Sequence, residues 1–273
     1  RYGFNNNDKI YDKKDIDSVF IGDSFLHGAC VNNKDNLISN LKSTTFFKEK
    51  NILNLGYGGN GSLLNLATLK EYFPNSKNVK HVFWIYYEGN DLEELNNEIS
   101  NKILIKYLNN TKFSQDLKNK EKEINKYVTD VLKKNVERGD EKDLPVINTL
   151  VSILGLDRVR NLFYSKFITN NKYKKNIELV KIFEDIVFET KKHVSDYKAQ
   201  LIFVYIPSNF KSEGKRYYKN ILNIIKKNNI KYLDLTNDNF IKDKNMYPKY
   251  GAHFNQNGYK VLSKKISLFM RGN

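Results

Sequence analysis

One cysteine, Cys30, stands in 273 residues, so no intramolecular disulfide can form and the fold has to hold without covalent staples. A lone thiol suits a reducing compartment without excluding an oxidising one. Its expected place is that of a small buried hydrophobe. The four histidines and the single cysteine show no zinc-ligand spacing, which argues against a structural zinc centre. No apolar run reaches about 18 residues, the length a membrane-crossing helix needs. Acid is also in short supply: 31 Asp and Glu face 46 Lys and Arg, for a net charge of +15. Such a chain is drawn to polyanions, among them anionic envelope surfaces and nucleic acid. The charge is nonetheless dispersed. Short clusters such as K-Y-K-K (172–175) and K-K-N-N-I-K (226–231) lie beside hydrophobic residues, as solvated helix faces do, and a Lys/Asn bias is also what an AT-rich genome produces. No RNA-binding signature or recognition helix accompanies it, so nucleic acid is not an expected partner. Arg1 in place of Met is what a fragment or a processed form would show, and a leader or anchor ahead of it is compatible with the sequence.

What is present is a core. Hydrophobic residues make up 40% of the chain and aromatic residues 13%, enough to bury a sizeable interior. Short apolar runs at 18–23, 51–56, 79–87, 199–207 and 230–236 read as strands. Between them, helical spacing is visible at 35–47, 61–73, 177–194 and 213–228, and the chain closes on a helix over 255–270. Ser62 is the expected cap of the second of these helices, which stops before Pro74. Nearly continuous apolar strands alternating with helices predict an α/β fold, a three-layer α/β/α sandwich around a mainly parallel five-stranded sheet. Residues 92–175 break the pattern. They are rich in Lys, Asn and Glu, with a long amphipathic run at 114–134, and read as a helical insertion or cap within a single domain spanning 1–273.

Four places could carry chemistry. The first strand runs into Gly-Asp-Ser in S-V-F-I-G-D-S-F-L-H-G (18–28), which places Ser24 at a carboxyl strand end, where open α/β sheets bind ligands. The second strand ends in N-L-G-Y-G-G-N-G-S (54–62), whose glycines permit tight turns and free backbone N–H groups to face an oxyanion. A phosphate loop is the alternative there, but no Gly-Lys-Ser/Thr follows, and the loop comes after the second strand rather than the first. The third strand ends in Y-Y-E-G-N-D (86–91), where Asn90 offers an amide, although Gly-Asn-Asp is also ordinary turn chemistry. A serine needs a base. His81 lies in a strand and His193 on a helix, both in structural settings. His27 is close to Ser24 and could line a pocket. His253, in Y-G-A-H-F-N-Q-N-G-Y (250–259), sits in a loop before the last helix.

Taken in order, G-D-S, N-x-G-x-x-G (Asn54, Gly56, Gly59), G-N-D and H-x-x-x-x-G-Y (His253 to Gly258 and Tyr259) resemble the four blocks of the SGNH, or GDSL, hydrolase superfamily. The resemblance covers residues 18–91 and 199–270 and implies a flavodoxin-like fold. It implies Ser24 as nucleophile and His253 as general base. It also implies an oxyanion hole made by the backbone N–H groups of Ser24 and Gly59 and the side-chain amide of Asn90, with Asp23 organising the loop. No cofactor or metal enters that mechanism. Two positions depart from the pattern. The aspartate that usually stands three residues before the histidine is Tyr250, and the glycine usually two before the asparagine is Glu88. Asp243 and Glu88 are the candidate acids for orienting His253; a backbone carbonyl is the alternative.

The expected function is therefore serine-dependent ester hydrolysis or O-acyl transfer, on short acyl esters of a carbohydrate. Tyr57, Tyr86 and Tyr87 lie near the strand ends, where they would suit sugar stacking. Such a substrate favours the bacterial envelope or periplasm over the cytoplasm. The alternative is a catalytically weak binding module of the same fold, using its basic helical insertion to hold an anionic partner.

Overall fold

Strands β1 (Ser18–Gly22), β3 (His81–Tyr87) and β4 (Gln200–Ile206) are buried along almost their whole length, on both faces. Such strands have to be covered twice, and parallel strands with helical crossovers achieve this. With β2 (Ile52–Asn54) and β5 (Lys231–Asp234) they form one sheet in the order β2-β1-β3-β4-β5, every neighbouring pair parallel. In this doubly wound order the winding reverses between β1 and β3, which opens a crevice beyond the carboxyl ends of those two strands. The computed structural model describes residues 1–74, 76–137, 172–209 and 214–272.

The described helices are α1 (Ser24–His27), α2 (Leu37–Lys42), α3 (Ser62–Tyr72), α4 (Asp91–Glu98), α5 (Leu104–Asn109), α6 (Glu121–Glu137), α7 (Lys172–Asp196), α8 (Tyr218–Lys227) and α9 (Gln256–Arg271). Strand side chains alternate between the two faces. Val82, Trp84 and Tyr86 share one core with apolar residues of α3, α4, α7 and α8. Phe83, Ile85 and Tyr87 share the other with α1, α2, α9 and the segment before α9. Phe20 and Phe83 stack across β1 and β3 at 4.4 Å, tying the two central strands together on that second face. The chain thus forms the expected three-layer sandwich.

Several boundaries shift for local reasons. The helix expected over 35–47 stops at Lys42, where the Thr44 hydroxyl turns back to the Leu41 carbonyl. The one expected over 213–228 opens as a 3-10 turn, Gly214–Tyr217. The amphipathic run 114–134 is helical only from Glu121, because the Glu71 carboxylate captures its start by accepting from the Ser114 hydroxyl and the N–H groups of Gln115 and Leu117. Of the expected insertion over 92–175, α4 contributes Leu92 and Leu95 to the main core. Residues 138–171 of it lie outside the described residues. Among the described residues, no helix is long and apolar enough to cross a membrane.

Candidate active site

β1 and β3 approach too closely for a side chain at the end of β1: a Cβ on Gly22 would stand 2.7 Å from the Ile85 carbonyl oxygen. The chain then turns at Asp23, whose Oδ1 accepts the Phe25 N–H at 2.9 Å and caps α1. Ser24 is therefore the first residue of a single helical turn, which ends at Gly28 in the left-handed region with φ +89°. Its Oγ lies 2.7 Å from His253 Nε2 and 3.2 Å from Asp23 Oδ2. Both partners are sheltered, Ser24 at 6% and His253 at 8% exposure.

His253 reaches this point because the loop before α9 is bound to itself. The Asn255 side chain caps α9, and its amide donates to the carbonyls of Asn245 and Tyr247. Phe254 is buried against Phe25, Phe240, Tyr247 and Tyr259. The His253 ring packs on Phe25 at 5.0 Å.

The second wall is the turn after β2. Asn54 Oδ1 accepts the Gly56 N–H at 2.8 Å, and its amide donates to the Leu26 carbonyl, joining the turn to α1. The Tyr57 N–H donates to the Gly22 carbonyl. Gly56 lies so near α1 that a Cβ there would meet Leu26 Cγ at 2.5 Å. Gly59 has φ +81°, the left-handed region in which glycine is unstrained. The expected cap of α3, Ser62, is not the cap: Gly61 occupies that position, and the Ser62 hydroxyl has no hydrogen-bond partner among the described residues. The first turn is capped instead by the Glu98 carboxylate, which accepts from the N–H groups of Gly61 (2.6 Å), Leu63 (2.9 Å) and Leu64 (3.3 Å). Burial pushes Glu98 up to about 7, against the lowering effect of those N–H groups.

The third wall is the β3 end. Asn90 is the N-cap residue of α4, and its side-chain amide lies near enough to Asp23 to lower that carboxyl. Asp91 is buried and accepts the Tyr87 N–H at 3.1 Å. Burial raises both aspartates. Asp23 is partly relieved by the Phe25 N–H, His253, Ser24 and Asn90, whereas Asp91 is pushed well above the usual carboxylate range by burial and by the Asp23 charge.

The structure brings Ser24 and His253 into contact, and joins the turn after β2 to α1 through Asn54. It does not bring the candidate acids to His253. Asp243 caps a 3-10 turn by accepting from the Asn245 N–H. Glu88 is engaged by the Tyr205 hydroxyl at 2.6 Å and the Ser208 N–H at 2.9 Å. Tyr250 is 73% exposed. The residue on the far ring nitrogen is Cys30, with Sγ 3.8 Å from His253 Nδ1. Cys30 is exposed rather than buried. No local sequence signal could have found this contact, because the two residues are 223 positions apart. Glu98 was equally invisible, since nothing in the sequence says which helix end its carboxylate meets. Of the three tyrosines expected near a sugar, Tyr86 is sealed in the core, because strand alternation turns it to the other face. Tyr87 is buried against Phe25 at 4.2 Å. Tyr57 is half-buried and edge-on to His27, whose Nδ1 lies 3.3 Å from the Gly56 carbonyl oxygen. His81 starts β3, and His193 packs on Phe73 and Tyr197 from α7, both away from Ser24. Among the described residues, no group of three or more His, Cys, Asp or Glu could hold a metal ion.

This architecture is shared with solved structures. A G-D-S-L family protein from Desulfitobacterium hafniense DCB-2, named as lipolytic, aligns with a TM-score of 0.52 at 12% identity, over 93% of this chain and 99% of that one. A two-domain esterase (CEX) active on acetylated mannans aligns at 0.49 and 11% identity, over 97% of this chain and 51% of that one. The psychrotrophic esterase EstA from Pseudoalteromonas sp. aligns at 0.49 and 10% identity, over 94% and 97%. Neither a protein-family model nor a curated protein matches the sequence. The chain has the SGNH/GDSL hydrolase fold.

Proposed function

We propose that the protein is a serine ester hydrolase that works through an acyl-enzyme on Ser24. The observation that carries this reading is the 2.7 Å contact between Ser24 Oγ and His253 Nε2, at the carboxyl edge of the switch point between β1 and β3.

His253 Nε2 takes the hydroxyl proton as Ser24 Oγ attacks the ester carbonyl, and the carbonyl electrons move onto oxygen. The Ser24 and Gly59 N–H groups and the side-chain amide of Asn90 stabilise that oxyanion. His253 then returns the proton to the departing alcohol oxygen, leaving the acyl group on Ser24. A second hydroxyl, deprotonated by His253, releases it. Water gives hydrolysis, and a sugar hydroxyl gives O-acyl transfer. Asp23 braces the turn by capping α1.

The acyl group is short. Phe25, next to Ser24, packs on both Tyr87 and His253, which favours acetyl over a long chain. Tyr57 and His27 at the rim suit a carbohydrate as the alcohol part.

Intact-mass spectrometry after exposure to a fluorophosphonate tests the assignment. One adduct is expected on the wild type, none on Ser24→Ala, and slow labelling on His253→Ala. An unlabelled wild type would remove the hydrolase reading and return the chain to a binding role. Incubation of an acetylated oligosaccharide with and without an unacetylated one separates hydrolysis from transfer.

A further inference from the structure

We propose that Cys30 is the positioning residue of the base: its sulfur accepts the Nδ1–H of His253, in the role an orienting aspartate plays elsewhere. The proposal rests on the reading of Ser24 and His253 as nucleophile and base.

Each ring nitrogen of His253 has a side-chain neighbour. Nε2 meets Ser24 Oγ at 2.7 Å and Nδ1 meets Cys30 Sγ at 3.8 Å. For Nε2 to accept a proton from Ser24, the neutral ring has to carry its one hydrogen on Nδ1, and that hydrogen then points at sulfur. Proton transfer leaves the Nδ1–H in place and makes the ring cationic. A thiol sulfur accepts this hydrogen weakly, and a thiolate accepts it strongly while supplying the negative charge that stabilises the imidazolium. Among the groups facing this pair are Asp23, which interacts with His253, and Tyr259, which is raised well above its usual range by burial first, then by Asp23 and Cys30.

The backbone gives an independent indication. Cys30 has φ +69°, a left-handed conformation that costs a non-glycine residue about 1 kcal/mol. It is reached through Gly28 and Ala29, whose N–H groups both return to the Ser24 carbonyl at 3.1 Å. The loop is therefore tied to the nucleophile at one end and swings Cys30 over His253 at the other. Glycine would sit there without strain, yet the chain keeps a side chain whose sulfur touches the base. Local strain of this kind collects at functional sites.

The test uses Cys30→Gly and Cys30→Asp in the full chain, with p-nitrophenyl acetate as substrate. Aspartate tolerates the left-handed region better than most residues and places a carboxylate toward Nδ1. In Cys30→Gly, kcat is expected to fall about tenfold, the equivalent of one transition-state hydrogen bond, with KM within about twofold. The melting temperature should hold or rise, because strain has been removed. Cys30→Asp should restore kcat. A merely structural cysteine would instead show the melting temperature falling with kcat in Cys30→Gly. That result, or an unchanged kcat, would overturn the proposal. A second readout needs no ester hydrolysis. In a Ser24→Ala background, the ¹⁵N shifts of His253 should report the Nδ1–H tautomer with Cys30 and a mixture with glycine. A wild type that hydrolyses no ester but shows this shift would sink the hydrolase reading alone. An active wild type whose His253 shifts and kcat ignore residue 30 would sink only the Cys30 assignment.

Discussion

The Glu98 carboxylate, at the last turn of α4, accepts the Gly61 N–H at 2.6 Å and so caps the helix that begins behind the Gly59 turn. A residue from one wall of the crevice thereby holds the backbone of another. Glu98 is raised to about 7 from an ordinary 4.5 or so. A carboxyl raised in the folded state contributes stability that is fully present below its unfolded value and is lost as pH rises through the folded one. The wild type should therefore lose on the order of 3 kcal/mol from this group between about pH 4.5 and 7. Glu98→Gln should flatten that part of the melting-temperature profile. It should also lower kcat at every pH, since an amide can accept from the N–H groups with only one of its two ends. An unchanged profile would mean that Glu98 is not the titrating group.

His193 acts in the opposite direction. Burial first, then the Lys70 charge, lowers it to about 4. A lowered histidine gives stability that is present above about pH 6.5 and is lost as pH falls toward 4. Its share is on the order of 3 kcal/mol, as the shift is as wide as that of Glu98. His193→Phe, which keeps a ring against Phe73 and Tyr197, should protect the protein from acid across that window. Denaturant titrations at pH 7 and pH 4.5 measure the difference.

Gly56→Ala should damage the site through packing. The added Cβ would meet Leu26 Cβ at 2.7 Å as well as Cγ, and Leu26 is fully buried. Overpacking of this kind costs about 1–3 kcal/mol. Because the turn also carries Gly59, esterase activity should fall further than the stability loss alone explains. Urea denaturation beside kcat separates the two effects.

Iodoacetamide offers a direct probe, because Cys30 is the chain's one cysteine and is exposed. A single added carbamidomethyl group is expected, and activity should fall in step with that mass. The residual activity of Cys30→Gly should be indifferent to the reagent. Full alkylation with full activity would separate Cys30 from the base.

The parallel sheet and the edge where Ser24 lies were legible in the sequence because they depend on short-range rules. Apolar runs such as 79–87 have to be covered on both faces, and Gly22-Asp23-Ser24 marks a strand passing into a helical turn. The blocks around Ser24, Asn54, Asn90 and His253 were visible for the same reason, since each is a local arrangement of turn and cap residues. The sequence alone did not determine which groups meet across the crevice. Asp243 and Glu88 were reasonable partners for His253 by position, but each is engaged by hydrogen bonds nearer at hand. Tyr86 looked available until strand alternation turned it inward. Glu98 reaches Gly61 because the sheet sets β1, β2 and β3 side by side and brings the segments after β2 and β3 together, and Cys30 reaches His253 because α9 packs back on α2 and carries the loop before it to the end of β1. Local propensity decides what each turn is. Packing of the whole chain decides which side chains it faces, because hydrogen bonds between distant residues exist only once the core has fixed their distance.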